Sequence, residues 1–158
     1  MSSSSAYRTV LVGTDGSDTS LRAVDRAAML ARDAGATLLL ATAYRPLPAR
    51  LVNDASEALG NEAYKVSGST PAEDVLRDAA DRARKLGATD VDTVAIEGDP
   101  VDALISVAEQ RGVDLVVIGN RGLNSLAGRL LGSVPANISH RATCDVLIVH
   151  TTGRGHKS

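Results

Sequence analysis

The chain contains no Phe, no Trp and only three Tyr, at positions 7, 44 and 64. Single-stranded nucleic acid is held largely by bases stacked on aromatic side chains, so that mode of binding has almost nothing to work with here. Lys and Arg number 17 against 19 Asp and Glu, and the formal net charge is −2, with the cations spread along the chain. Such a balance lacks the basic stripe that a duplex demands, and no nucleic-acid partner is expected. Cys144 is the single cysteine, which excludes an intramolecular disulfide and a thiolate zinc cluster and fits a reducing compartment. The three histidines, His140, His150 and His156, stand at unrelated positions and make no metal set. No apolar run approaches the ~20 residues of a membrane span. The opening Met1–Ala6 stretch is a serine run without the apolar segment of a signal peptide. No membrane partner is expected, and the expected location is the cytoplasm.

What remains is a 158-residue chain that is 44% hydrophobic, enough for one aliphatic core in one domain. Short apolar runs alternate with amphipathic stretches. Val10-Leu11-Val12 predicts a first strand, closed by Gly13. Residues 17–34 carry Leu21, Val24, Ala27, Ala28 and Ala31 at helical spacing, and Gly35 stops that helix. The continuous run over 37–43 predicts a strand buried on both faces. Residues 45–69, broken by Pro46, Pro48, Gly60 and Gly68, form a long connection of the kind that is usually functional. Thr70 as cap and Pro71 as first helical residue open a second helix with Val75, Leu76, Ala79, Ala80 and Ala83 as its apolar stripe, ended by Gly87. Residues 91–96 predict an edge strand, interrupted by Asp92 and Thr93. Asp99-Pro100 starts a third helix running to Gly112, Leu115-Val116-Val117-Ile118 predicts a fourth strand, Ser133 caps a fourth helix to about Arg141, and Val146-Leu147-Ile148-Val149 predicts the last strand.

Five strands and four helices in strict alternation predict an α/β fold, a doubly wound parallel sheet of order 3-2-1-4-5 with helices on both faces. The domain is expected over residues 7–152, with disordered tails at 1–6 and 153–158. In such sheets ligands sit beyond the carboxyl ends of the strands where the order reverses, which directs attention to the loops after Val12 and Ile118. The first reads Gly13-Thr14-Asp15-Gly16-Ser17 and the second Gly119-Asn120-Arg121-Gly122, then nine residues, then Gly132-Ser133. Glycine permits close backbone approach to a ligand. The helix opening at Gly132-Ser133 offers unpaired N–H groups and a hydroxyl to phosphate oxygens. Asp15 repels phosphate, but it accepts from a ribose hydroxyl or holds a cation.

The spacing Gly119-x2-Gly122-x9-Gly132-Ser133 resembles the nucleotide-binding signature of the universal stress protein family. The Gly-Thr-Asp-Gly-Ser end of the first strand and the closing Cys-Asp-Val-Leu-Ile-Val run belong to the same resemblance, which covers residues 7–151. It implies an adenine nucleotide, ATP or cyclic AMP, with its phosphate in the second loop, its ribose at Asp15 and its adenine edge read by backbone around Ala43. Mg²⁺ is implied only alongside ATP. The nucleotide-binding set so implied is Gly13, Thr14, Asp15, Ala43, Ile118, Gly119, Asn120, Arg121, Gly122, Gly132, Ser133 and Val134. The family's last strand often pairs across a homodimer. Two departures are visible: Asp145 replaces the usual proline after the cysteine, and Pro135 lies in the first turn of the last helix, where an amide hydrogen is dispensable.

An enzyme reading fares worse. The chain has no Gly-Lys-Ser/Thr and no Gly-x-Ser-x-Gly elbow, so no catalytic residue or structural metal is assigned. The expected role is a stress-response regulator that binds nucleotide, with a slow ATPase and a dimeric scaffold with an unused site as the alternatives.

Overall fold

The computed structural model describes residues 6–44, 70–120 and 133–150. The order along the chain is β1 (Thr9–Gly13), α1 (Asp18–Ala34), β2 (Thr37–Tyr44), α2 (Thr70–Lys85), β3 (Val91–Glu97), α3 (Pro100–Gln110), β4 (Leu115–Gly119), α4 (Ser133–Arg141) and β5 (Asp145–Val149). All neighbouring strands pair in parallel, in the order β3-β2-β1-β4-β5. The expected doubly wound sheet is the one observed.

The alternation of side chains along each strand divides the core in two. Val10 and Val12 of β1, Leu38 and Leu40 of β2, and Leu115 and Val117 of β4 pack with α1 and α2 on one face. Leu11, Leu39, Ala41, Val116 and Ile118 pack with α3 and α4 on the other. Each fully buried Leu, Ile or Val contributes about 1.5–3 kcal/mol relative to an exposed one. The helices present mostly alanine to the first face, with Ala23, Ala27, Ala28, Ala31, Ala79, Ala80 and Ala83 at or near zero exposure. Small side chains let the helices lie close, and the Arg82 guanidinium on α2 clasps both carboxylate oxygens of Asp25 on α1.

Helix ends follow local chemistry. Ser17 caps α1 by accepting from the Ser20 amide, and Gly35 ends it in the left-handed region at φ 66°. Asp99 caps α3 by accepting from the amides of Val101 and Asp102 at 3.0 and 3.2 Å, with Pro100 as its first residue. Two expected caps differ. Thr70 and Ser133 are the first residues of α2 and α4, not the residues before them. Pro71 and Pro135 therefore stand second and third in their helices, still within the turn whose amides lack helical partners. The connection at 45–69 and both expected tails lie outside the described residues, apart from Ala6.

β3 and β5 are the two edges. Among the described residues Ile148 of β5 is the one large hydrophobic side chain left exposed, at 45%. No described helix is long and apolar enough to cross a membrane.

Candidate functional site at the switch point

The strand order reverses between β1 and β4. The helix that follows β1 packs on one face of the sheet, and the helix that follows β4 packs on the other. In doubly wound sheets the connections diverge at the carboxyl ends of the strands at this point, which is where ligands bind.

The β1–α1 loop is held from below. The Thr14 amide donates to the Ala41 carbonyl at 2.9 Å, extending the β1–β2 ladder one residue beyond the strand. The Thr14 side chain has no exposure, and Ser20, in the first turn of α1, has 1%. Their hydroxyl oxygens are 2.7 Å apart. One proton arrangement satisfies every contact around them. Thr14 donates to Ser20, and Ser20 donates to the Ser17 carbonyl at 3.0 Å. Ser20 Oγ accepts from the Asp15 amide at 3.3 Å, and Thr14 Oγ1 accepts from the Gly16 amide at 3.1 Å. No buried side-chain polar atom among the described residues is left without a partner. Above this pair Asp15 is exposed, and its Oδ1 accepts from the Ser17 amide at 2.9 Å. Its carboxylate stands at the opening of α1, where the helix dipole favours negative charge.

β2 outruns β1. Gly13 is in register with Ala41, so Ala43 lies beyond the end of its neighbour and is half-buried. Main-chain groups along a parallel strand alternate in direction. Because Ala41 faces β1, Ala43 faces the same side, above Thr14.

On the other flank, Ile118 and Gly119 pair with Ile148 and Val149, and the Asn120 amide donates to the Val149 carbonyl at 2.9 Å. Gly119 is buried and Asn120 is half-buried. α4 links two parallel strands, so it runs back against them and its first residues, Ser133 and Val134, lie at this same end.

The structure thus brings Gly13, Thr14, Asp15, Ala43, Ile118, Gly119, Asn120, Ser133 and Val134 to one end of the sheet. It also sorts them. Thr14, Ile118 and Val134 are buried, the last two within the core against α3 and α4, so their side chains do not face a ligand. Arg121, Gly122 and Gly132 lie outside the described residues. Sequence reasoning missed Ser20; the signal was a hydroxyl standing on the apolar stripe that continues through Ala23, Val24 and Ala27.

Two grooves among the described residues lie elsewhere. One of about 610 Å³ runs between α2 and β3, lined by Leu76, Arg77, Arg84 and Val94, and another of about 400 Å³ lies between Tyr7, Leu30 and β5. We favour the switch point over the larger trough. Arg77 and Arg84 there are paired with Asp74 and Asp81 on their own helix, and the trough lies along a sheet edge, away from the carboxyl ends. No group of three His, Cys, Asp or Glu among the described residues is placed to hold a metal ion.

The family model for the universal stress protein family matches residues 6–150. The universal stress protein Rv1636 of Mycobacterium tuberculosis is 55% identical over 148 residues, covering 94% of this chain and 99% of that protein. A solved universal stress protein in complex with cAMP is 49% identical, with a TM-score of 0.72 over 94% of this chain and 100% of that one. The universal stress protein of Archaeoglobus fulgidus in complex with dAMP, at 20% identity and TM-score 0.65 over 91% of this chain and 98% of that one, supports the fold alone. The chain belongs to the universal stress protein family.

Proposed function

We propose that this protein is an adenine-nucleotide-binding stress regulator whose ligand lies across the switch point between β1 and β4. The observation that carries the reading is the convergence there of an exposed, braced carboxylate at Asp15 with the outward backbone of Ala43 and the glycine-bounded end of β4. Asp15 accepts from a ribose hydroxyl, the backbone at Ala43 reads the adenine edge, and the signature from Gly119 through Gly122 to Gly132 and Ser133 takes the phosphate, with Arg121 available to add charge. Cyclic AMP is the favoured ligand, since a universal stress protein 49% identical to this chain is known in complex with cAMP. It carries one negative charge, whereas ATP, the second candidate, brings Mg²⁺ with it.

The reading is of a binder, not an enzyme. Phosphoryl transfer relies on positioned cations and a positioned nucleophile, and the sequence has no Walker lysine. Phosphate release from ATP with Mg²⁺ is expected to lie several orders of magnitude below the ~10 s⁻¹ of a median enzyme. The working unit is a cytoplasmic homodimer of the domain at 7–152, paired through β5, whose exposed Ile148 supports that reading.

Calorimetric titration with cAMP tests the site. The parent is expected to bind, and Asp15→Ala to bind about 10–100-fold more weakly, as loss of a hydrogen bond to a charged group predicts. Equal affinity in the two proteins removes Asp15 from the site.

A further inference from the structure

We propose that Ser20 and Thr14 are positioning residues that set the ribose selectivity of this site without touching the ligand. The inference rests on Asp15 as the ribose acceptor and goes beyond it. Asp15 is exposed and by itself free to take several rotamers. Three successive amides hold it in place. The Asp15 amide donates to Ser20 Oγ, the Gly16 amide to Thr14 Oγ1 and the Ser17 amide to Asp15 Oδ1. The first two acceptors are the hydroxyls of a pair with almost no exposure, so they are beyond reach of a nucleotide in the crevice.

The pair does more than fill space. Alanine and valine would fill these volumes in an aliphatic core at no polar cost, yet two hydroxyls are buried here in a closed set of bonds. Thr14 donates to Ser20, Ser20 donates to the Ser17 carbonyl, and each accepts one loop amide. A fully satisfied buried network of this kind specifies one geometry. The geometry it specifies is that of the backbone carrying Asp15, anchored on one side to β2 through Thr14 and Ala41 and on the other to the cap of α1 through Ser17. Ligand selectivity for a hydroxyl depends on an acceptor held where the hydroxyl falls. Loosening the pair leaves the carboxylate present but no longer aimed.

The experiment compares cAMP with its 2′-deoxy analogue, by titration, in the parent, Ser20→Ala, Thr14→Val, Thr14→Ser and Asp15→Ala proteins, with thermal melts as a control of folding. Ser20→Ala and Thr14→Val are expected to lose about tenfold in affinity for cAMP and little for the deoxy analogue, so that the preference for ribose collapses. Thr14→Ser keeps the hydroxyl and is expected to keep the preference. If Asp15→Ala abolishes ribose preference while Ser20→Ala and Thr14→Val retain it, this proposal fails and the site stands. If Asp15→Ala leaves the preference intact, or the parent binds no cAMP, the site itself is wrong and the proposal falls with it. Should the hydroxyl variants not fold, hydrogen exchange on the unliganded parent decides. The amides of Asp15, Gly16 and Ser17 are expected to be protected before ligand arrives, and exchange at unprotected rates overturns the proposal.

Discussion

Gly16 and Val75 lock the first loop to a helix distant in sequence. Gly16 sits at φ +85°, and a Cβ placed on it would stand 3.0 Å from Cγ2 of Val75 on α2. The backbone conformation therefore favours glycine beside Asp15, and a Cβ there would also press on Val75. Gly16→Ala is expected to cost about 1–3 kcal/mol of stability. Val75→Ala in the same protein would relieve the contact but not the backbone strain. Chemical denaturation of the single and double variants checks this, with partial recovery expected in the double.

Cys144, just before β5, is half-buried and packs against the core on the α3 and α4 face. Burial, joined by the nearby negative charges of Asp145 and Asp114, pushes its thiol above the ordinary range. The fold thus favours the protonated form. The contribution to stability is present below the pKa of the unfolded thiol, about 8.5, and is lost as pH rises through the folded value. Labelling by a thiol reagent at pH 8 is expected to be several-fold slower in the native protein than in the unfolded chain, because the thiolate is the reacting form. Equal rates would show that the thiol is neither buried nor shifted.

Ile148 is exposed on β5, a strand with one unpaired side, and an unpaired edge is open to pairing with a second chain, the contact proposed for the homodimer. Ile148→Asp is expected to convert a homodimer into a monomer in light scattering at micromolar concentration, while changing monomer stability by no more than about 0.5 kcal/mol, as surface substitutions do. A parent that is monomeric at that concentration contradicts pairing through this edge.

Much of this arrangement was readable in advance, for physical reasons. Gly35 could be placed because a left-handed residue is needed after α1, and β2 because a run such as Leu38-Leu39-Leu40 has no polar face to expose. Parallel pairing followed from the alternation of strand and helix. The division of labour within the first loop was hidden. Composition puts Thr14 and Asp15 side by side as polar loop residues, yet one is buried and the other exposed, because strand alternation continues one residue past β1 and turns Thr14 inward. The family resemblance implies Val134 in the nucleotide-binding set, whereas its side chain belongs to the core. Ser20 escaped notice because a serine early in a helix reads as a surface residue until its partner is known. Thr70 and Ser133 were misplaced by one position, within the ambiguity that any capping residue carries.

The central claim is the position of the site, and amide NMR on the labelled protein tests it most directly. On addition of cAMP, the largest shift changes are expected at residues 14–17, at Ala43, and at Gly119 and Asn120, with Ser133 and Val134 at the opening of α4. Changes centred instead on Arg77, Arg84 and Val94, in the trough between α2 and β3, with the loop at 14–17 unmoved, would contradict the account.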